Sequence, residues 1–220
     1  MAQAAVAAAY QVPELDKLFQ SMEIENTKLK ILQRQNKLCL ILDLDHTLIH
    51  SKAGNVDNVD GNHTFLIKLR PFVHEFLKEA NKLFEMYVYT LATRDYAMGV
   101  VSLLDPDGLY FGSRIIASED STDEYQKSLD VLPDVDENFV IILDDLNVVW
   151  SKYLRNLIVI QPYNYFDPPN GVFSDEKEGS GALNAALEVL KEVHTLYFKI
   201  RGRLSVDCDV RDLLEAVMNT

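Results

Sequence analysis

Cysteine is scarce in this 220-residue chain, and the two present, Cys39 and Cys208, lie far apart without metal-ligand spacing. Cys39 also sits inside an apolar run, so neither a disulfide framework nor a zinc site is expected, and both thiols should be reduced. Long hydrophobic runs are lacking too. No apolar stretch approaches the length that spans a bilayer, and the alanine-rich start at Met1 has no cationic region of the secretory kind. The expectation is a soluble, intracellular protein with no membrane partner. Positive charge is in short supply as well: Lys plus Arg number 21 against 34 Asp plus Glu, a formal net charge of -13. A field of that sign opposes direct binding to nucleic acid. It also repels phosphorylated ligands, so any phosphate site must carry local positive charge or a metal ion.

What is present is enough apolar material, 48% of residues, for a substantial core in one domain with or without appendages. The apolar run Leu38–Leu42 delivers Asp43-Leu44-Asp45-His46-Thr47. Alternate side chains of a strand share a face, so Asp43 and Asp45 can point the same way from the strand's carboxyl end. Two carboxylates in one pocket repel each other unless a cation or a shared proton compensates, and a divalent metal with hard oxygen ligands is the simplest compensation.

Helical spacing over about residues 13–36 (Leu15, Leu18, Phe19, Met22, Leu29, Leu32) suggests one or two helices ahead of that strand. The polar stretch from Ser51 to Asn62, followed by strand-like Thr64–Leu69, suggests a flap or hairpin over the site. Pro71 is read as the first helical position of a segment carrying Phe72, Phe76, Leu77 and Ala80. A strand over Phe84–Tyr89 should end at Thr90, and Thr93 should cap a further helix through Leu104. Asp105–Gly108 is a turn signal, and Leu104–Gln126 leaves room for a small hairpin insertion. Phe139–Leu143, stopping at Asp144-Asp145, and Leu157–Ile160 read as further strands; Gln161–Ser180 is loop-like, Gly179-Ser180-Gly181 included. Leu183 to Tyr197 and Asp209 to Met218 read as closing helices. Continuous apolar strands separated by helical segments imply an α/β fold with a central, mainly parallel sheet. The ends of such strands meet in one crevice, which would gather Asp43, Asp45, Thr90 and Asp144-Asp145, with Lys127 able to supply positive charge.

Asp43-Leu-Asp-His-Thr47 resembles the DxDxT motif of haloacid-dehalogenase-like phosphatases. From about Leu38 to Phe166 the chain resembles, more narrowly, the catalytic domain of RNA polymerase II C-terminal-domain phosphatases of the TFIIF-associating kind. The resemblance is carried by Leu69-Arg-Pro71, Tyr89–Ala97, Leu104-Asp-Pro106, Lys127-Ser-Leu129 and Ile141–Asp145 with Val149-Trp150, and Asp209-Val-Arg211 resembles a segment that follows in that family. It implies a haloacid-dehalogenase-like Rossmannoid domain over residues 38–200, with an N-terminal helical extension (1–37) and a helical tail (201–220) packed on it. A BRCT domain often follows in that family; the resemblance here is to the catalytic domain without one.

By that resemblance, Asp43 would be the nucleophile, forming an aspartyl-phosphate, and Asp45 would be the general acid and base. Thr90 and Lys127 would stabilise the phosphoryl oxygens. Mg2+ would be held by Asp43, the backbone carbonyl of Asp45 and the Asp144-Asp145 corner, with Asp145 favoured as the direct ligand. Arg94 would contact the phosphate or its flanking peptide. Thr47 and Trp150 are read as structural, Arg70 as a cap or ion-pair partner, and His46, His50, His63, His74 and His194 as packing or exposed residues. The substrate implied is the phosphorylated polymerase tail, in the nucleus, with a transcription factor as a possible partner. Only 22 residues separate Thr47 from Arg70, too few for a large cap domain. The alternatives are a phosphatase of another phosphoprotein or small phosphate ester, and a noncatalytic phosphopeptide-binding scaffold.

Overall fold

The apolar run Leu38–Leu42 forms strand β1, buried along its whole length because the sheet is covered on both faces. The computed structural model describes residues 31–54, 65–132, 135–167, 175–177, 179–204 and 208–219. The expected N-terminal helices lie outside these residues except for a helical turn at 31–34, and so does the tip of the flap at 55–64. After β1 come β2 (Ile49–Ala53), β3 (Phe65–Leu69), α1 (Val73–Leu83), β4 (Phe84–Tyr89), α2 (Arg94–Leu104) and β5 (Ile115–Ile116). Then follow β6 (Val140–Asp144), β7 (Leu157–Val159), α3 (Ala182–Leu204) and α4 (Val210–Met218). The main sheet is parallel, in the order β5-β4-β1-β6-β7, with Leu42 level with Val88 on one side and Leu143 on the other. β2 and β3 form a separate antiparallel hairpin.

Strand alternation divides the core in two. Leu38, Leu40 and Leu42 face a cluster completed by the buried sides of α1, α2, α3 and α4. Cys39 and Ile41 face the other way, onto Tyr87, Tyr89, Ile142, Trp150 and Tyr153. That second face is roofed by short 3-10 turns at Leu129–Val131, Asn147–Trp150 and Leu154–Asn156. Continuing the same parity, Asp43 after Ile41 and Asp144 after Ile142 fall on the face that holds Trp150.

Three local expectations are corrected. Pro71 is not the first helical residue: Val73 N donates to Arg70 O at 3.2 Å across Pro71 and Phe72, and Phe72 is left-handed at φ 70. This is a type II turn, which favours proline at its second position and a positive φ at its third, so α1 starts two residues later. Residues 104–126 form no hairpin; Ile115–Ile116 joins the main sheet parallel to β4 as an edge strand. Thr93 stands at the N-cap of α2 without a side-chain cap bond, and the Arg94 N–H is taken by the Glu119 carboxylate instead. Farther along, α3 is one unbroken helix through residue 200 to Leu204.

Two buried polar residues fix the connections. The Asp105 carboxylate accepts from the backbone N–H groups of Leu109, Tyr110 and Phe111 at 2.7–2.9 Å, which closes the turn after α2. Arg70, 1% exposed, donates to the carbonyl oxygens of Thr47 (3.0 Å) and Gln161 (2.7 Å) and pairs with Glu176 at 2.5 Å. One guanidinium thus ties the motif loop after β1 to the loop after β7. Arg70→Ala strips these acceptors of their donor and leaves Glu176 unpaired. The expected loss is about 3 kcal/mol of unfolding free energy, read from urea denaturation monitored by Trp150 fluorescence.

Candidate active site

Because β4, β1 and β6 are neighbours and parallel, the residues at their carboxyl ends converge. Asp43, Thr90 and Asp144 meet there in a cleft of ≈ 190 Å³ that also takes in Asp45, Lys127 and Asp145. Leu91, Leu146 and Val149 supply apolar wall.

Lys127 is the centre of the charge balance. Its Nζ donates to Asp43 Oδ1 and Asp144 Oδ2, both at 2.6 Å, and stands 5.7 Å from the ring centroids of both Tyr89 and Trp150. Burial by itself disfavours the ammonium, but the two carboxylates outweigh it and raise the Lys127 pKa above its ordinary value, so the side chain stays charged. Burial pushes the Asp43 carboxyl up to about 7, and Asp144 adds to the rise while Lys127 opposes it. Burial, reinforced by Asp144, raises Asp145 as well.

Asp144 and Asp145 differ in what is left to offer. Asp144 Oδ2 accepts from Trp150 Nε1 (2.8 Å) as well as from Lys127, and Oδ1 accepts from the Leu146 N–H (2.8 Å). Trp150 therefore packs, as expected, and also aims the carboxylate that holds Lys127. Among the described residues no side-chain hydrogen bond reaches the carboxylate of Asp145, which is half-buried at the cleft and feels the charges of Asp144, His46 and Lys127. Asp43, Asp144 and Asp145 bring carboxylate oxygens within 4.8 Å of one another. Three hard oxygen donors facing a single ammonium fit a divalent cation, which would complete the charge balance.

Asp45 enters the cleft from the turn after β1, and its Oδ1 accepts from Ser51 Oγ (2.7 Å) and Tyr96 OH (2.6 Å). Burial and the bond to Asp45 push the Tyr96 phenol up, so it remains a donor. His46, left-handed at φ 63, turns the chain at this point; its Nδ1 lies 3.2 Å from Tyr163 O, and its ring lies 4.7 Å from that of His50. Thr47 is buried, and its Oγ1 lacks a partner among the described residues. Thr90 Oγ1 accepts from the Ala92 N–H at 3.1 Å, leaving the hydroxyl proton for a ligand in the cleft.

The site residues expected from sequence therefore come together, with one exception. Arg94 is absent from the cleft lining; its guanidinium pairs with Asp120 and reaches Ile115 O at 3.4 Å. Nothing in the sequence marks Ser51 and Tyr96 as site residues: Ser51 opens a polar stretch, and Tyr96 falls on the inward side of an amphipathic helix. Only the return of the β2–β3 hairpin over α2 brings them to Asp45.

The sequence model of the NLI interacting factor-like phosphatase family matches residues 38–200. The chain is 41% identical to RNA polymerase II C-terminal domain phosphatase-like 4 of Arabidopsis thaliana, over 86% of this chain and 51% of that protein. It is 37% identical to an RNA polymerase II C-terminal domain phosphatase of Encephalitozoon cuniculi, over 67% of this chain and 37% of that one. The chain thus spans about half the length, or less, of these curated relatives. Among solved structures, a variant of the fission yeast RNA polymerase II CTD phosphatase Fcp1 bound to beryllium fluoride superposes with a TM-score of 0.75 at 22% identity. That match covers 87% of this chain and 73% of the other, and it shows a shared fold. A family match that begins at β1, takes in the whole sheet and extends into α3 leaves one conclusion: the chain belongs to the NLI interacting factor-like phosphatases.

Proposed function

We propose that this protein is a Mg2+-dependent phosphoprotein phosphatase that acts on phosphoserine or phosphothreonine of the RNA polymerase II C-terminal repeats, in the nucleus. The observation that carries the chemistry is the pairing of buried Asp43 with Lys127 at the end of β1, with Asp45 two residues away in the same cleft. A nucleophile, a fixed cation and a separate proton carrier are what two-step phosphoryl transfer requires. The substrate assignment rests on the relatives, whose names identify them as phosphatases of the polymerase C-terminal domain. The 22 residues between Thr47 and Arg70 are too few for a large cap domain, which favours a protein substrate over a small ester.

In the first step a carboxylate oxygen of Asp43 attacks phosphorus while the bond to the serine or threonine oxygen breaks, and Asp45 gives that oxygen a proton. In the second, water attacks the aspartyl-phosphate, Asp45 takes the water's proton, and the Asp43 carboxylate is released. Lys127 faces the charge of the phosphoryl oxygens, and Thr90 donates its free hydroxyl hydrogen to one of them. Bound Mg2+ supplies Lewis-acid charge stabilisation. Asp43 and Asp145 would hold it, because Asp144 already serves Lys127, Trp150 and the Leu146 N–H. Arg94 would reach a substrate only by leaving Asp120.

Asp43→Asn should lower phosphate release from a phosphorylated heptad peptide by at least about three orders of magnitude while thermal unfolding stays cooperative. Retained turnover would remove the nucleophile assignment, and equal rates on unrelated phosphopeptides would remove the polymerase substrate. Asp145→Ala should weaken Mg2+ binding, measured by calorimetry, by more than about tenfold, as loss of a charged ligand implies. An unchanged isotherm would move the ligand to Asp144. Because burial pushes the Asp43 carboxyl up to about 7, a cation must displace its proton below that pH. Mg2+ affinity should therefore fall by up to about tenfold per unit as pH drops below 7 and level off above it.

A further inference from the structure

Asp45 is held through one oxygen only. Ser51 Oγ from β2 and Tyr96 OH from α2 both donate to Oδ1, at 2.7 and 2.6 Å, and among the described residues no donor reaches Oδ2. An oxygen that accepts two hydrogen bonds has both lone pairs engaged. The hairpin contributes to this arrangement through both of its strands. Ser51 donates directly, and Phe65 on β3 sets its ring edge-on to Tyr96, with centroids 5.1 Å apart at 70°.

We propose that Ser51 and Tyr96 are positioning residues for Asp45: their hydroxyls occupy Oδ1, so the proton that Asp45 transfers resides on Oδ2 and is presented to the leaving oxygen. This rests on the phosphatase reading and extends it. In the first step the bond from the serine oxygen to phosphorus breaks, that oxygen takes the proton from Oδ2, and the electron pair of an Asp43 oxygen forms the new bond. In the second, the water proton returns to Oδ2. The β2–β3 hairpin is thereby part of the acid. It fixes which carboxylate oxygen works, and without it Asp45 would lose Ser51 and the ring that supports Tyr96.

A merely structural clamp and a positioning clamp differ in how their loss depends on the leaving group. An alkyl serine oxygen needs a proton as it departs, whereas a nitrophenolate leaves without one. The experiment compares kcat/KM of the full chain, Tyr96→Phe, Ser51→Ala and the double variant on a phosphoserine peptide and on p-nitrophenyl phosphate, each also in an Asp45→Asn background. The expected result for the double variant is a loss of about tenfold or more on the peptide and no more than about twofold on the aryl ester. In the Asp45→Asn background the two substitutions should cause no further loss. Equal losses on both substrates, or losses that persist in that background, overturn the proposal. Should the double variant fail to fold, the single variants carry the same comparison. Absence of hydrolysis by the full chain on both substrates would sink the phosphatase reading itself, whereas Asp43-dependent hydrolysis with equal losses sinks only the clamp.

Discussion

The buried ammonium of Lys127, held between Asp43 and Asp144 at 2.6 Å from each, is the interaction on which the rest of the site depends. Three parallel strands end together, and nothing in their apolar interiors can balance the carboxylates placed there. Opposite charge and two well-formed hydrogen bonds let the lysine remain ionised where burial alone would discharge it. Its attraction does not offset what burial costs the Asp43 carboxylate, which is still pushed up to about 7, with Asp144 adding to the rise. Three carboxylates around one ammonium offer a place that a divalent cation would fill, and Lys127 with that cation would supply the counter-charge of an incoming phosphoryl group.

Around that pair the protein invests its buried polar groups in orientation. Trp150 lends its indole N–H to Asp144 while its ring packs edge-on against Tyr89, so one side chain serves both the apolar cluster and the charge network. Arg70 does similar work for the motif loop, holding its carbonyl groups from below. The loop itself is bent by a left-handed residue, His46, a conformation in which residues other than glycine are uncommon. Such a turn persists where its surroundings over-determine it, and Tyr163 N and Arg70 both donate to the His46 carbonyl oxygen.

Much of this is legible in the sequence because it is written linearly. An apolar run that ends in Asp43 or Asp144 shows both a strand and the carboxylate at its end, and parallel pairing does the rest. Lys127 needs the family resemblance as well, since nothing local distinguishes it from a surface lysine. Ser51, Tyr96 and Glu176 are not legible: each acts across a return of the chain, and no local pattern reports a phenol pointing at a carboxylate 51 residues away in sequence. The placement of Arg94 is hidden for the complementary reason. Its position beside Thr90 suggests a phosphate contact, but the acidic turn at Glu119 and Asp120 comes close and captures it. The displaced start of α1 has a local cause that is readable in principle, since proline followed by a residue tolerating positive φ also spells a type II turn.

The uneven dressing of the sheet has a further consequence for how such a molecule can change over generations. All four described helices pack on the face opposite Cys39 and Ile41, and the cooperative interior is concentrated there. The reactive face is closed by turns of three or four residues. Lengthening a surface turn adds little closure entropy, since the cost grows only with the logarithm of loop length. Descendants of this architecture can therefore remodel the rim that meets the substrate, by insertion as well as by substitution, while the helical side goes on specifying the same fold.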